Sequence, residues 1–515
     1  MSYGKCHGIV IQSKDILRSG DQGLRSYNAV FGKRFESVMH VEKIAQIDGS
    51  EFEWEMCQPN LLLSQTLNAS EDLAKLYVEK LEEKPCSREK PWNILLTFDE
   101  FTPGSISFPQ LSRKMMNLAF NFLELGGSLL RIPCTWIIPV AVRATYMSNA
   151  IGGWSACLAL FLRLLLLGDL GLQSTGVTFL YKGNAYELFG RLKAMLSDGE
   201  GLKHALDIMG YNGIRPCLKC QNVLKKNSGL AHLSDGAFVE VGCSDSSKFV
   251  PSTPADLDRE IAEVMAAYRK RQAGSMNQTN FKKVETAYGI HANPNGIMFC
   301  TKLRLKFSVL AVLHEDWMHG TLQDGCVTHA FHALLESCTS KMQNCGYREL
   351  EAFVKGDWRF ADFLEQRGTA LWKLFKSQSN TSEYRIKGTA SDLLTLYMLL
   401  RYFCFCVLLP IADSQGIDMK PEIGAFEAWC NVMDKIMFIK TVLNSSADFE
   451  QLTGELLIAI DGAIAAHIDV YGNDGITPKS HRMQHIPEQI SGIQYVFDSF
   501  LIEKLHLTTK AALAN

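Results

Sequence analysis

Apolar residues fall first into short unbroken runs and later into long stripes of helical spacing. Short apolar runs bounded by turn residues read as buried strands, and i, i+3, i+4 stripes read as helices. Asn93 to Phe98, NILLTF, predicts a short buried strand closed by Asp99. Pro109 to Leu125 predicts a helix ending at Gly126-Gly127. Thr135 to Val142, TWIIPVAV, predicts a strand whose Pro139 belongs at an edge or a bulge. Asn149 to Leu167 predicts an apolar helix entered through Gly152-Gly153, and Gly176 to Tyr181 a further strand. The apolar run Leu192 to Leu196 leads into Asp198. Strands alternating with apolar helices predict an α/β core. Ahead of it, residues 1–90 read as irregular and then helical, with Ser70 to Lys84 an amphipathic helix that Ser70 caps.

The pattern changes after Cys220. Asn222 to Phe249 is loop-rich, and from Pro254 to about Val470 the spacing predicts helices alone. Thr253 caps the first, with Pro254 at its first position. Others are expected over Thr321 to Glu336, Asp392 to Leu409, Phe426 to Lys440 and Phe449 to Tyr471. A helical block therefore separates two stretches of the α/β part. The organisation expected is 1–90, a mostly helical region; 91–227, the first part of the core; 228–479, a helical insertion; and 480–515, a return to the core.

Composition narrows the class. The 515 residues exceed what one core usually holds. Fifteen scattered cysteines with no secretory leader ahead of them indicate a reducing, intracellular compartment. Cys157 to Leu167 is too short to span a bilayer, and Leu393 to Pro410 is interrupted by Arg401, so no membrane association is expected. The net charge of -3 leaves DNA binding to a local basic face. No phosphate-binding Gly-x-x-x-x-Gly-Lys-Ser/Thr loop and no Gly-x-Gly-x-x-Gly turn opens a helix.

Candidate chemistry lies in three places. Cys217 and Cys220, in PCLKC, have the spacing of half a zinc site. His481 and His485, in KSHRMQH, can share a metal from one helical face. His232 and Cys243 are closer in sequence and would complete a local site instead, while Cys6 and His7 stand alone. The third place is His314 to His319, where Asp316 either caps a helix or orients His319. Asp99 follows one apolar run, Asp198 another, and Glu503 stands in FDSFLIEKLH after the histidine pair. Asp392 and Glu336 are rival acids, and Asp392 also suits a helix cap.

The order acid, acid, Cys-x-x-Cys, helical block, His-x-x-x-His, acid resembles the cut-and-paste DDE transposases of the CACTA and Transib branch, to which the V(D)J recombinase belongs. The resemblance covers roughly residues 90 to 515, and Glu124-Leu125-Gly126 and Gly152-Gly153-Trp154-Ser155 recur in that layout. It implies an RNase H-like α/β core, a mixed sheet flanked by helices, interrupted by a large all-α insertion. It implies that Asp99, Asp198 and Glu503 hold Mg²⁺ or Mn²⁺ for DNA cleavage and strand transfer. It also implies that Cys217, Cys220, His481 and His485 bind a structural Zn²⁺, with Asp316 and His319 accessory. The partners implied are transposon ends, target DNA and a second copy of the chain, in the nucleus. The alternative is a domesticated descendant that keeps the fold as a DNA- or protein-binding scaffold without the chemistry.

Overall fold

A computed structural model describes residues 37–102, 114–226, 228, 236–343, 346–353, 390–442, 448–500, 502–506 and 509. The chain is mixed α/β and divides into two compact units. The first comprises Met1–Gly213, Ser252–His314 and Ser499–Asn515, the second Ile214–Pro251 and Glu315–Asp498. The helical block is therefore not assigned as one piece. Residues 252–314 group with the first unit, and the segment carrying the two cysteines groups with the later helices.

The first unit opens with a hairpin of β1 (Met39–Ala45) and β2 (Glu51–Cys57), an element the sequence reading missed. Two helices follow, α1 (Pro59–Ala69) and α2 (Glu71–Glu83), the second capped by the Ser70 hydroxyl as expected. The central strand is β3 (Trp92–Phe101), buried along most of its length because neighbours cover it. It pairs antiparallel with β4 (Met115–Phe122), which pairs antiparallel with the edge strand β5 (Ile137–Arg143). The helix expected over 109–125 is thus corrected: 115–122 is a strand, and 109–113 lies outside the described residues. MMNLAFNF is apolar at positions that fit either period, and pairing on both sides decides in favour of the strand. Its polar residues do not oppose this, since Asn121 Nδ2 donates to Thr135 Oγ1 at 3.0 Å. Pro139 sits where it was expected, in an edge strand opposite a register slip between Leu118 and Phe120.

After β5 come α3 (Ala144–Asn149) and the apolar α4 (Gly153–Leu166). The strands β6 (Val177–Tyr181) and β7 (Asn184–Leu188) form a separate hairpin. β8 (Gly190–Leu196) then enters the main sheet parallel to β3. The two-residue strand Leu313–His314, which helical spacing alone did not reveal, pairs parallel with β8 and closes that edge. The sheet order is Leu313–His314, β8, β3, β4, β5. Tyr77, Trp92, Phe122 and Phe179 form an aromatic cluster in the core, with ring centroids 5.8 to 6.4 Å apart. Two further helices, α5 (Gly199–Ala205) and α6 (Pro254–Gln272), belong to this unit, and Thr253 forms the expected cap of α6.

The second unit is mainly helical. It contains α7 (Trp317–Thr321), α8 (Cys326–Lys341), α9 (Ala390–Phe403), α10 (Lys420–Val442), α11 (Phe449–Tyr471), α12 (Pro478–Met483) and α13 (Ile486–Ile493). α9 runs on through a π-helical turn, Cys404–Leu408, into Leu409–Ser414; Pro410 has no N–H to continue regular pairing. Asp392 does not cap this helix, because Ala390 and Ser391 ahead of it are already helical. By length and composition Ala390–Ser414 could cross a membrane. Its Arg401 makes ion pairs with Glu427 and Asp434 of α10, and Tyr397 donates to Asp434 at 3.0 Å. The helix therefore carries a polar seam against its neighbour.

Candidate functional site

Asp99 and Asp198 meet because of strand register. β3 and β8 run parallel, and their last shared rung is Thr97 opposite Leu196. Each aspartate stands two residues beyond that rung, on the same side by the two-residue alternation of strands. Both line one pocket of about 580 Å³ in the first unit. Asp198 caps α5: its Oδ1 accepts from Gly201 N at 2.5 Å, which fixes the carboxylate at a helix N-terminus. Asp99 Oδ1 accepts from Glu100 N at 2.7 Å.

The pocket holds more charge than the sequence reading assigned. Glu100, Glu200, Lys114 and His204 also line it. Lys114 pairs with Glu100 at 2.9 Å. Glu200 pairs with Lys203 at 2.7 Å and His204 at 3.2 Å, and the bond from Lys203 holds its carboxyl below the usual range. The signal was available: an acid follows Asp99 directly and another follows Asp198 by two. Trp154 forms part of the wall, and its ring lies 5.9 Å from that of Phe98, the residue before Asp99.

Glu503 lies on the helical segment 502–506 in the same unit. That segment is tied to β3 and β4: the His506 ring stacks on Phe101 at 5.1 Å, and Asn117, the partner of Asp99 across the sheet, donates to Thr509 Oγ1 at 3.4 Å. Among the described residues lining the pocket, Glu503 is not one.

The second centre lies within the second unit. Cys217, Cys220, His481 and His485 bring four ligand atoms within 4.8 Å of one another. His485 Nε2 is 3.4 Å from each sulfur and 3.2 Å from His481 Nε2. Ligands held about 2.0–2.3 Å from one tetrahedral ion are separated by roughly 3.3–3.8 Å, so the set can hold a metal such as zinc. The histidines are not on one continuous helix. His481 is in α12, which ends at Met483, and His485 follows in the turn before α13. The turn swings the two rings to an interplanar angle of 86° with both Nε2 atoms converging. His481 Nδ1 is buried without a hydrogen-bond partner, and the Phe249 ring packs edge-on against this imidazole at 4.8 Å. The Cys217 thiol is held well below its usual range, first by the hydrogen bond from Cys220 and then by the imidazoles. Of the rival ligands, Cys243 donates to the Asp245 carbonyl at 3.4 Å instead, and His232 lies outside the described residues, as do Cys6 and His7.

Asp316 is the N-cap of α7 and also contacts His319. Its carboxylate caps α7 through Met318 N and His319 N, and its Oδ2 is 2.5 Å from His319 Nδ1. Gln489 of α13 holds the preceding residue, accepting from Glu315 N at 2.7 Å. Glu336 is exposed on α8. Glu124 accepts from Asn93 N at 2.9 Å and Asn93 Nδ2 at 2.8 Å, so the Glu-Leu-Gly motif anchors the start of β3. Compared with known proteins, the sequence matches no protein-family model and no curated relative.

Proposed function

We propose that the chain is a DDE-type DNA transposase, or descends from one, and cuts and joins DNA by metal-dependent phosphodiester chemistry. The observation that carries this is Asp99 and Asp198, each two residues past the last rung shared by two adjacent parallel strands and lining one acidic pocket. The sheet also supports it. Three consecutive antiparallel strands, with β8 and Leu313–His314 added parallel on the other side of β3, suit an RNase H-like core. Asp99 and Asp198, with Glu100 or Glu200 beside them, would hold Mg²⁺ or Mn²⁺, since hard cations take carboxylate oxygens. Such ions supply activation of the attacking oxygen and neutralisation of the leaving one. The protein's own part is to fix Asp198 as the N-cap of α5 and to present Lys114 and His204 to a phosphate entering the pocket. Zinc in the four-ligand group would clamp residues 214–251 to α12 and α13, a structural role.

The decisive experiment measures Mn²⁺ binding by electron paramagnetic resonance alongside nicking of supercoiled plasmid in Mg²⁺. The wild-type chain should bind and nick, and Asp99→Asn and Asp198→Asn should do neither. Undiminished binding and nicking in both variants would overturn the reading. A second reading is favoured because Glu503 is not among the described residues that line the pocket: a derived scaffold that keeps the fold without the chemistry. Mn²⁺ binding without nicking in the wild type would select it.

A further inference from the structure

Behind the pocket wall lies a polar cluster that neither metal centre uses. Asp207 follows α5 in a left-handed conformation, φ 52°, and its backbone carbonyl accepts from His291 N at 2.7 Å. The residue is partly exposed as a whole, yet its Oδ2 is sealed from solvent. Its Oδ1 accepts from Asn293 Nδ2 at 3.0 Å, and the same amide donates to the Gly152 carbonyl at 2.7 Å. Oδ2 rests beside the Ser155 hydroxyl, close enough to be stabilised by it though off hydrogen-bond geometry. Ser155 Oγ in turn accepts from Ile297 N at 3.1 Å.

The packing leaves no slack. A Cβ on Gly296 would stand 2.3 Å from Asp207 Oδ2 and 2.7 Å from Ser155 Oγ. Gly152 has φ +85°, and a Cβ there would stand 2.8 Å from Asn293 Oδ1. The cluster therefore grips the Gly152-Gly153 turn that starts α4. The next two residues in line, Gly153 and Trp154, are pocket wall, and Trp154 packs on Phe98 beside Asp99.

We propose that Asp207 is a positioning residue for the Asp99–Asp198 pocket: through Asn293 and Ser155 it pins the Gly152-Gly153 turn and so fixes the wall made by Gly153 and Trp154. The proposal rests on reading that pocket as the DNA-processing site, and its test separates the two. In the full-length chain, Asp207→Ala removes both carboxylate oxygens. Asp207→Asn keeps an acceptor for Asn293 and offers Ser155 a donor. Ser155→Ala is a milder break should Asp207→Ala fail to fold.

Amide hydrogen exchange reads the wall directly. The Gly153 and Ala156 amides bond to Ala150 O and Gly152 O, and Ile297 N bonds to Ser155 Oγ. Asp207→Ala should speed exchange at these three amides about tenfold while exchange across β3 stays unchanged; for Ser155→Ala in its place the readout is Gly153 and Ala156 alone, since that variant removes the Ile297 acceptor outright. Mg²⁺-dependent nicking should fall about tenfold with Mn²⁺ affinity held, because a displaced wall misplaces substrate rather than removing a ligand. Asp207→Asn should restore both exchange and nicking. Unchanged exchange at the three amides overturns the proposal, and so does an Asp207→Asn variant as defective as Asp207→Ala. Should the wild type neither bind Mn²⁺ nor nick, the reading of the pocket falls, and exchange alone still decides whether Asp207 holds the wall.

Discussion

Asp99 and Asp198 stand at the same height, each two residues past the rung formed by Thr97 and Leu196. Two carboxylates so placed repel, along with Glu100 and Glu200 in the same pocket, and a cation relieves the repulsion. Asp99→Asn and Asp198→Asn should therefore lose Mn²⁺ binding while leaving the metal-free protein unchanged or more stable, by up to about 1 kcal/mol. Urea unfolding in a chelator checks this; a destabilised variant would show that the aspartates serve packing.

Glu503 and Asp392 are best compared in one assay. The resemblance makes Glu503 the third acid, so Glu503→Gln should abolish nicking although Glu503 is not among the described residues that line the pocket. Asp392→Asn, in the first turn of α9, should leave nicking intact and weaken the helix by only a few tenths of a kcal/mol, about 0.3–0.5. Lost activity with Asp392→Asn and none with Glu503→Gln would reverse the assignment.

The four-ligand group should carry one zinc per chain, measured by atomic absorption. Cys217→Ser or His481→Ala should lose it. If removal costs about 3 kcal/mol, the melting temperature should drop by roughly 6–12 °C. A variant lacking both histidines that retains a full equivalent of zinc would place the metal elsewhere.

Asp207 gives the protein a pH-dependent stability. Burial raises its pKa from 3.8 to about 7, opposed by Ser155, Asn293 and His291. Because the folded value lies above the unfolded one, the protonated form stabilises. That contribution is complete below pH 3.8 and is lost as pH rises through about 7. Over that interval the wild type should lose on the order of 4 kcal/mol relative to Asp207→Asn. Parallel unfolding curves for the two proteins from pH 4 to 8 would contradict it.

Much of this was legible in the residues. The two apolar runs leading into Asp99 and Asp198 marked the paired strands β3 and β8, although β3 runs on to Phe101, and the cysteine and histidine spacings marked the ligand set. Local spacing could not distinguish strand from helix over Met115–Phe122, whose conformation is set by pairing with β3 and β5. Nor could it reveal Leu313–His314, too short for any period to register. Asp207 was missed for a different reason. Its importance comes from Ser155 and Asn293, which are remote in sequence and ordinary taken singly.

The distance along the chain from Cys220 to His481 has a consequence for biosynthesis. The ligand set spans 261 positions between these two residues (481 - 220). At about 5–20 residues per second, Cys220 is made roughly 13–52 s before His481. Through that interval Cys217 and Cys220 lack the two imidazoles that complete their group, which leaves the thiols open to oxidation or to capture by other metals. Closing a loop of that length costs about 5 kcal/mol of chain entropy, beyond a constant term. The newly made protein thus passes through a thiol-bearing intermediate whose lifetime is set by translation speed, and a ribosome stalled before His481 would release a chain with half a metal site.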